Sequence, residues 1–161
     1  MKTKYIVLIM SLLHLLIIIL ALILAMLPEE KEIENMKYFR FSYTTGYHMN
    51  ASVSYEIELI DGKYIAKIKP TDIPEEDAQT IEISENEVKT IENKLSEYHV
   101  SLWNGFHKSD KNVLDGNSFS LSIRYKNNDS ISASGYMMWP NNYREVRDYL
   151  DNKLGSLYKK D

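Results

Sequence analysis

"ASVSYEIELIDGKYIAKIKP", residues 51–70, decides the fold. Ala51, Val53, Tyr55, Ile57 and Leu59 alternate with Ser52, Ser54, Glu56 and Glu58. Successive side chains of an extended chain point to opposite sides, so this period of two describes a strand with one buried and one wet face. Asp61-Gly62 follows at once, and Tyr64, Ala66 and Ile68 resume the alternation beyond it. Asp-Gly tolerates positive φ at both central positions of a type I′ turn, whose twist suits two paired strands. A hairpin is expected here, and Pro70, which has no N–H to donate to a ladder, closes its second strand.

The same pattern recurs on both sides. Upstream, Phe39, Phe41 and Tyr43 alternate with polar residues. Downstream, after the proline-rich acidic loop "PTDIPEEDA", the period changes to that of a helix. Ser84-x-x-Glu87 reads as a capping box, and Val88, Ile91, Leu95 and Tyr98 share one stripe over residues 84–98. Phe119, Leu121, Ile123 and Tyr125 alternate with Ser118, Ser120, Ser122 and Arg124; "NND" turns the chain; Ile131, Ala133 and Gly135 return. Asn142-x-x-Glu145 then caps a closing helix with the stripe Val146, Tyr149, Leu150, Leu154 and Leu157. The order hairpin, helix, hairpin, helix predicts an α+β domain over residues 37–161. Both amphipathic helices should cover one face of an antiparallel sheet of four to six strands.

The N-terminus has a different character. From Tyr5 to Leu27 only Ser11 and His14 interrupt an apolar run of 23 residues. As a helix it would extend about 35 Å, against a hydrocarbon core of about 30 Å. Residues 5–27 are therefore expected to be a transmembrane signal anchor. A cleavable signal peptide, which would leave the domain secreted, usually has a shorter apolar stretch and a small-x-small exit, whereas this one leaves through "LAMLPEE". The basic residues 1–4 and the acidic residues after Pro28 place the N-terminus in the cytoplasm and the domain outside. His14 is read as a tolerated imidazole, since no second ionisable group shares the segment for a relay. Ala21-x-x-x-Ala25 has the small-residue spacing of a helix pair, so the anchor could mediate a dimer. Residues 28–36 are read as a charged spacer with no core-forming pattern.

Composition narrows the function. The residues after Leu27 hold 17 basic against 23 acidic side chains, a net of −6, which argues against a nucleic-acid surface. There is no cysteine, so disulfides, thiolate metal sites and cysteine nucleophiles are excluded. No cofactor or metal is called for by any motif.

Candidate chemistry concentrates in "WNGFHKSDKNVLDGNSFSL", residues 103–121. Asn104-Gly105 reads as a type I′ turn that brings Trp103 and Phe106 side by side, and Asp115-Gly116 as a turn leading into the next strand. The connection His107–Leu114 remains. An EF-hand counted from Asp110 puts Leu114, Asp115 and Leu121 at positions 5, 6 and 12, and fails. A metal site from His99 and His107 with Asp110 or Asp115 has no pair of ligands at helical spacing. A hydrolytic site can be drawn from His107 with Asp110 or Asp115, but no strand-turn-helix elbow and no glycine-rich oxyanion loop surrounds Ser109. Farther on, "YMMWP" offers soft and aromatic side chains where a strand gives way to a helix. It reads as a hydrophobic plug at the sheet edge, with an exposed binding patch as the sharper alternative. Tyr47 is another aromatic that is hard to bury, and Asn50-Ala-Ser52 and Asn128-Asp-Ser130 match the glycosylation acceptor pattern.

"WNGF", "VLDGNSFSLSIRY" and "ISASGYMMWPNNYREV" together resemble a family of membrane-anchored or exported proteins of Gram-positive, especially clostridial, bacteria. Its pattern is Trp-Asp/Asn-Gly-Phe, Leu-Asp-Gly-x-x-Phe-x-Leu and a small-residue strand followed by a proline and a tyrosine. The resemblance covers about the last 60 residues. It implies a bacterial extracytoplasmic setting and carries over no activity and no catalytic residue. The expectation is a cell-surface binding or accessory module whose partner is an envelope protein, polymer or small ligand. His107, Asp110, Tyr136 and Trp139 are the candidate binding residues, and a small envelope hydrolase using His107 with Asp110 or Asp115 is the alternative.

Overall fold

The computed structural model describes residues 2–26, 30–44, 52–71 and 73–159; Tyr47 and Asn50 fall outside them. Its centre is an antiparallel sheet built outward from β1 (Met36–Thr44). β2 (Ser52–Ile60) and β3 (Lys63–Lys69) form the expected hairpin, with Asp61 at φ 49° and Gly62 at φ 80° in the turn. β6 (Ser118–Tyr125) and β7 (Ser130–Tyr136) form the second, turning at Asn128 with φ 69°. Two further strands, β4 (Gln79–Ile83) and β5 (His107–Ser109), complete the order β4-β3-β2-β1-β6-β7-β5.

The sheet thus has seven strands, where four to six were expected, and one of them is parallel, β5 on β7. β5 contains no apolar residue and so gives no period. It is recruited by its neighbour's backbone, as Ser134 N–H donates to Phe106 O at 2.7 Å and Asp110 N–H to Tyr136 O at 2.9 Å. β4 is only five residues long, and its alternation is too brief to separate from a loop.

The inward faces line up in cross-strand rows. Ala66, Ile57, Phe39, Ile123 and Ile131 form one; Ile68, Tyr55, Phe41, Leu121 and Ala133 form the next. All ten are buried. The opposite face carries Ser54, Ser42, Ser120 and Ser134 in a single row and stays wet.

Two helices close the apolar face. In α2 (Glu85–Glu97), Ser84 Oγ accepts from Glu87 N–H at 3.2 Å and Glu87 Oε2 accepts from Ser84 N–H at 2.8 Å, the reciprocal capping box. Its stripe Val88, Ile91 and Leu95 is buried. α3 (Tyr143–Lys153) buries Val146 and Leu150, with Leu154 just beyond. The cap expected from Asn142 and Glu145 does not form. Asn142 has φ 60°, and its Nδ2 donates instead to Tyr98 O at 3.2 Å. That carbonyl ends α2 and needs a donor from outside the helix, so one amide joins the two helices.

The stretch read as a charged spacer belongs to the fold in its described part, residues 30–36. Ile33 and Met36 are buried, and α2 with the 3₁₀ turn after it supplies acceptors to the backbone. Lys31 N–H donates to Ser101 Oγ at 3.1 Å, Ile33 N–H to Ser96 Oγ at 2.7 Å and Met36 N–H to Glu92 Oε1 at 2.6 Å. Glu30 also meets the His99 imidazole. Glu92 is buried although its charge favours the wet face, because it stands four residues after Val88 on the buried stripe of α2, and burial pushes its carboxyl above the usual range despite that hydrogen bond. Two isolated apolar residues among charges make no pattern that sequence reading can use.

The N-terminal helix α1 (Lys2–Met26) stands apart in kind. Its described leucines and isoleucines, from Leu12 to Leu24, are all 44 to 62 % exposed, right round the helix. His14 Nδ1 lies 3.1 Å from Met10 O, one turn back, so the imidazole is satisfied within its own helix. Among the described residues no helix is long and apolar enough to cross a membrane.

Candidate functional site

At the end of β1 that holds Tyr43 and Thr44, aromatic rings gather round Phe119 of β6. Trp103 lies edge-on at 5.9 Å, Phe106 at 6.2 Å, Trp139 at 5.7 Å and Tyr143 at 4.9 Å between ring centroids. Gly135, opposite Phe119 on β7, makes room for this ring. A Cβ there would come within 2.5 Å of it and 2.0 Å of Met138 O. The chain then reverses through Met137, at φ 53°, and delivers Trp139 onto Tyr143. Those two rings stack at 4.6 Å with 22° between their planes.

Trp103 and Phe106 do not form the expected pair; each packs on Phe119. The turn between them exists, closed by Phe106 N–H to Trp103 O at 2.8 Å. Asn104 has φ −55° and ψ 125° and Gly105 φ 78°, which is type II geometry, because Trp103 ends a 3₁₀ turn and no hairpin is being closed. Trp103 is buried, and its Nε1–H donates to Asn141 O at 3.0 Å. The Trp-Asn-Gly-Phe stretch therefore props the 139–142 segment from beneath.

Between that segment, α3 and the end of β1 opens a cleft of about 590 Å³, within the range of small-ligand sites. Trp139, Pro140 and Tyr143 supply an aromatic and apolar wall; Asn117, Arg144, Arg147 and the acidic Glu145 supply polar and charged groups of both signs. Trp139 keeps 38 % of its surface exposed. Arg147 is held by Asp148 at 2.6 Å, while Arg144 is exposed and has no ion-pair partner among the described residues. Behind the cleft, Tyr43 O–H donates to Asp151 at 2.7 Å and Tyr55 O–H to the same carboxylate at 2.8 Å. Burial first, and then the Asp151 hydrogen bond, hold both phenols well above their usual range. Burial pushes the Tyr143 hydroxyl up to about 12.

The four residues singled out from the sequence do not converge. Trp139 lines the cleft. His107 and Tyr136 line a separate depression of about 290 Å³ on the wet face beside β5. There His107 Nδ1 lies 2.9 Å from Ser134 Oγ, and Tyr136 O–H donates to Leu114 O at 2.8 Å. Asp110 turns away, its Oδ1 accepting from Asn112 N–H at 2.9 Å in a local turn. Neither Asp110 nor the exposed Asp115 meets His107 among the described contacts, so no base-and-acid pair is assembled. Among the described residues no group of three or more His, Asp or Glu could hold a metal ion.

Arg144, Arg147 and Tyr143 escaped sequence reading because α3 was read for its apolar stripe alone. Arg144 and Arg147 at i, i+3 just after an aromatic-proline pair was the available signal. A larger cleft, about 1010 Å³, lies at the opposite end of β1 between residues 31–35 and the β6–β7 turn. It mixes Lys31 and Lys126 with Glu32, Glu34 and Asp129, and has no aromatic wall comparable to Trp139 and Tyr143. No protein-family model matches the chain, and no curated protein matches it.

Proposed function

We propose that this chain is a single-pass, membrane-anchored binding module whose α+β domain lies outside the cytoplasmic membrane of a Gram-positive bacterium and captures an envelope ligand in the Trp139 cleft. The carrying observation is the aromatic wall. Trp139 stands exposed on a stacked partner, on a segment pinned by Trp103, so its position is preorganised before any ligand arrives.

The membrane anchor is part of the proposal. It rests on the apolar run 5–27, on a helical backbone over Lys2–Met26, and on the described apolar side chains from Leu12 to Leu24, exposed all round that helix, an arrangement unfavourable in water and natural in lipid. The direction of β1 supports surface presentation. The strand begins next to residues 30–36 and ends at the cleft, so the cleft stands about 26 Å from the anchored end.

The test uses the absence of native cysteine. In intact cells, a membrane-impermeant maleimide should label a Ser109→Cys protein without lysis; labelling only after lysis refutes the orientation. A photo-crosslinking maleimide on Glu145→Cys, at the cleft, followed by purification through a C-terminal tag, should give an adduct that disappears when Trp139→Ala is added. The same adduct from both proteins rejects the cleft as the site.

A further inference from the structure

We infer that Ser52 and Lys69 form a nucleophile and base pair on the open face of the sheet, one that cleaves esters of short acyl groups. The pair goes beyond the binding-module reading and does not rest on it.

The starting point is a lysine in an unusual setting. Lys69 ends β3 on the wet face, yet only 8 % of its surface is exposed. Lysine is almost never buried without an ionic partner, and among the described residues no carboxylate lies within ion-pair distance of Lys69. The charged groups beside it are engaged with one another, Lys67 with Glu75 at 2.5 Å and Arg40 with Glu56 at 4.0 Å. Its own described partners both belong to one residue of the neighbouring strand. Nζ donates to Ser52 O at 2.7 Å and lies 3.1 Å from Ser52 Oγ. The carbonyl contact fixes the amine, and the hydroxyl contact sets it where a base takes the proton of an attacking serine.

Ser52 also borders a cavity of about 110 Å³, together with Ser42, Thr44, Ser118 and Ser120. Lys69 is not among its walls, so the amine stands behind the hydroxyl and out of a substrate's path. Thr44 is the register partner of Ser52 on β1. Its Oγ1 accepts from Ser118 N–H at 2.8 Å, and its own hydroxyl hydrogen has no described acceptor closer than Ser118 Oγ at 3.5 Å. Ser42 and Ser120 share one hydrogen bond at 2.8 Å, which leaves one of the two hydroxyls a hydrogen to donate. Hydroxyl donors therefore border the same cavity as the nucleophile, as stabilisation of a developing oxyanion requires. At about 30 Å³ for each water such a space takes an acetyl or propionyl group and no long chain. The small side chains of the serine row leave the alcohol side of the ester unobstructed. Tyr43 and Thr44 line both this cavity and the Trp139 cleft, so the two adjoin.

The chemistry balances with water as the second substrate. The bond from Ser52 Oγ to the carbonyl carbon forms as the hydroxyl proton passes to Lys69 Nζ. The bond from that carbon to the alcohol oxygen then breaks, and Nζ returns the proton to the leaving alcohol. Water repeats both steps on the acyl-serine, releasing the carboxylic acid and restoring Ser52.

The experiment exposes the detergent-solubilised full-length chain to a fluorophosphonate at pH 9, where more of a lysine amine is uncharged, and locates the adduct by peptide mass spectrometry. The serine oxygen binds phosphorus as fluoride leaves. Ser52 should be modified at least roughly tenfold faster than Ser54 and Ser120, its neighbours on the same face. Lys69→Arg keeps donors for Ser52 O but cannot be deprotonated, so it should slow the modification by roughly tenfold or more while the thermal midpoint stays near that of the parent. Hydrolysis of p-nitrophenyl acetate should exceed that of the octanoate and fall to background in Ser52→Ala. Modification of Ser52 no faster than of Ser54 and Ser120, a comparison that needs no variant, overturns the inference. Equal modification in a folded Lys69→Arg protein also overturns it and leaves Lys69 as a tie between strands. Octanoate hydrolysed as fast as acetate overturns the assignment to short acyl groups.

Discussion

Replacing Asp151 by alanine removes the single carboxylate on which two buried phenols converge. Tyr43 and Tyr55 retain 8 and 3 % of their surface, and both hydroxyls donate to Asp151, at 2.7 and 2.8 Å. A buried polar group left without a partner costs about 1–3 kcal/mol, so the pair sets a range of about 2–6 kcal/mol. Asp151 itself is only half-buried, and water entering at its edge can satisfy one hydroxyl in part, which brings the expectation to about 3 kcal/mol. For a domain of this size that corresponds to a fall of about 10–15 °C in Tm, and to a large fraction of a typical total stability of about 5–15 kcal/mol. Urea unfolding of the detergent-solubilised chain, followed by tryptophan emission and by far-ultraviolet circular dichroism, should show a lower midpoint with an unchanged slope. Asp151→Asn keeps one acceptor oxygen and should cost about 1 kcal/mol. Tyr43→Phe with Tyr55→Phe removes the hydroxyls, so in that background Asp151→Ala should cost far less, a coupling of about 2 kcal/mol. An Asp151→Ala protein within about 0.5 kcal/mol of the parent, or one equally destabilised in both backgrounds, would refute the reasoning.

Other consequences can be measured on the same footing. Tyr43, Tyr55, Tyr125 and Tyr143 are all held above the ordinary phenol range, chiefly by burial, so the unfolded chain gives up these protons near pH 10 while the folded chain keeps them. Stability should be insensitive to these groups below about pH 10 and fall above it, and the fall should be shallower in the Tyr43→Phe, Tyr55→Phe protein when urea midpoints at pH 8 and 11 are compared. Burial raises the Glu92 carboxyl, so its contribution is fully present below about pH 4.3 and is lost as pH rises through its folded value. Glu92→Gln, which still offers an oxygen to Met36 N–H, should therefore gain on the parent between pH 4 and pH 7, and a gap that stays constant or moves the other way would contradict this. Gly135→Ala sets a methyl group against Phe119 and Met138 O and should cost more than about 3 kcal/mol or leave the protein insoluble, read by yield and thermal midpoint.

The two hairpins and α2 were legible because each rests on a local rule that the sequence satisfies several times over: alternation, a turn dipeptide with positive φ, a reciprocal cap. What escaped reading depends on partners distant in the chain. β5 is polar throughout and becomes a strand only because β7 offers its backbone. Ile33 and Met36 acquire meaning only when Ser96, Ser101 and Glu92 are folded beside them. Asn142 looked like a cap by spacing, yet a carbonyl from another helix competes for its side chain. At the cleft, Trp139 stands out in sequence because Tyr-Met-Met-Trp-Pro is hard to bury as a whole, whereas Arg144 reaches the cleft only where α3 and β1 come together. His107 and Asp110, three residues apart in the chain, diverge because a strand sends one toward β7 and a local turn claims the other.

β1 has a mechanical consequence. The N-terminal segment runs into the middle strand of seven, flanked on both sides by antiparallel neighbours through seven register pairs each. Tension arriving through residues 30–36 therefore pulls along the strand axis and loads both ladders in shear, sharing the force over many hydrogen bonds at once. Entry at an edge strand would open those bonds one after another, like a zip. A domain wired this way resists a pull applied through its N-terminal segment better than one whose chain enters at an edge strand.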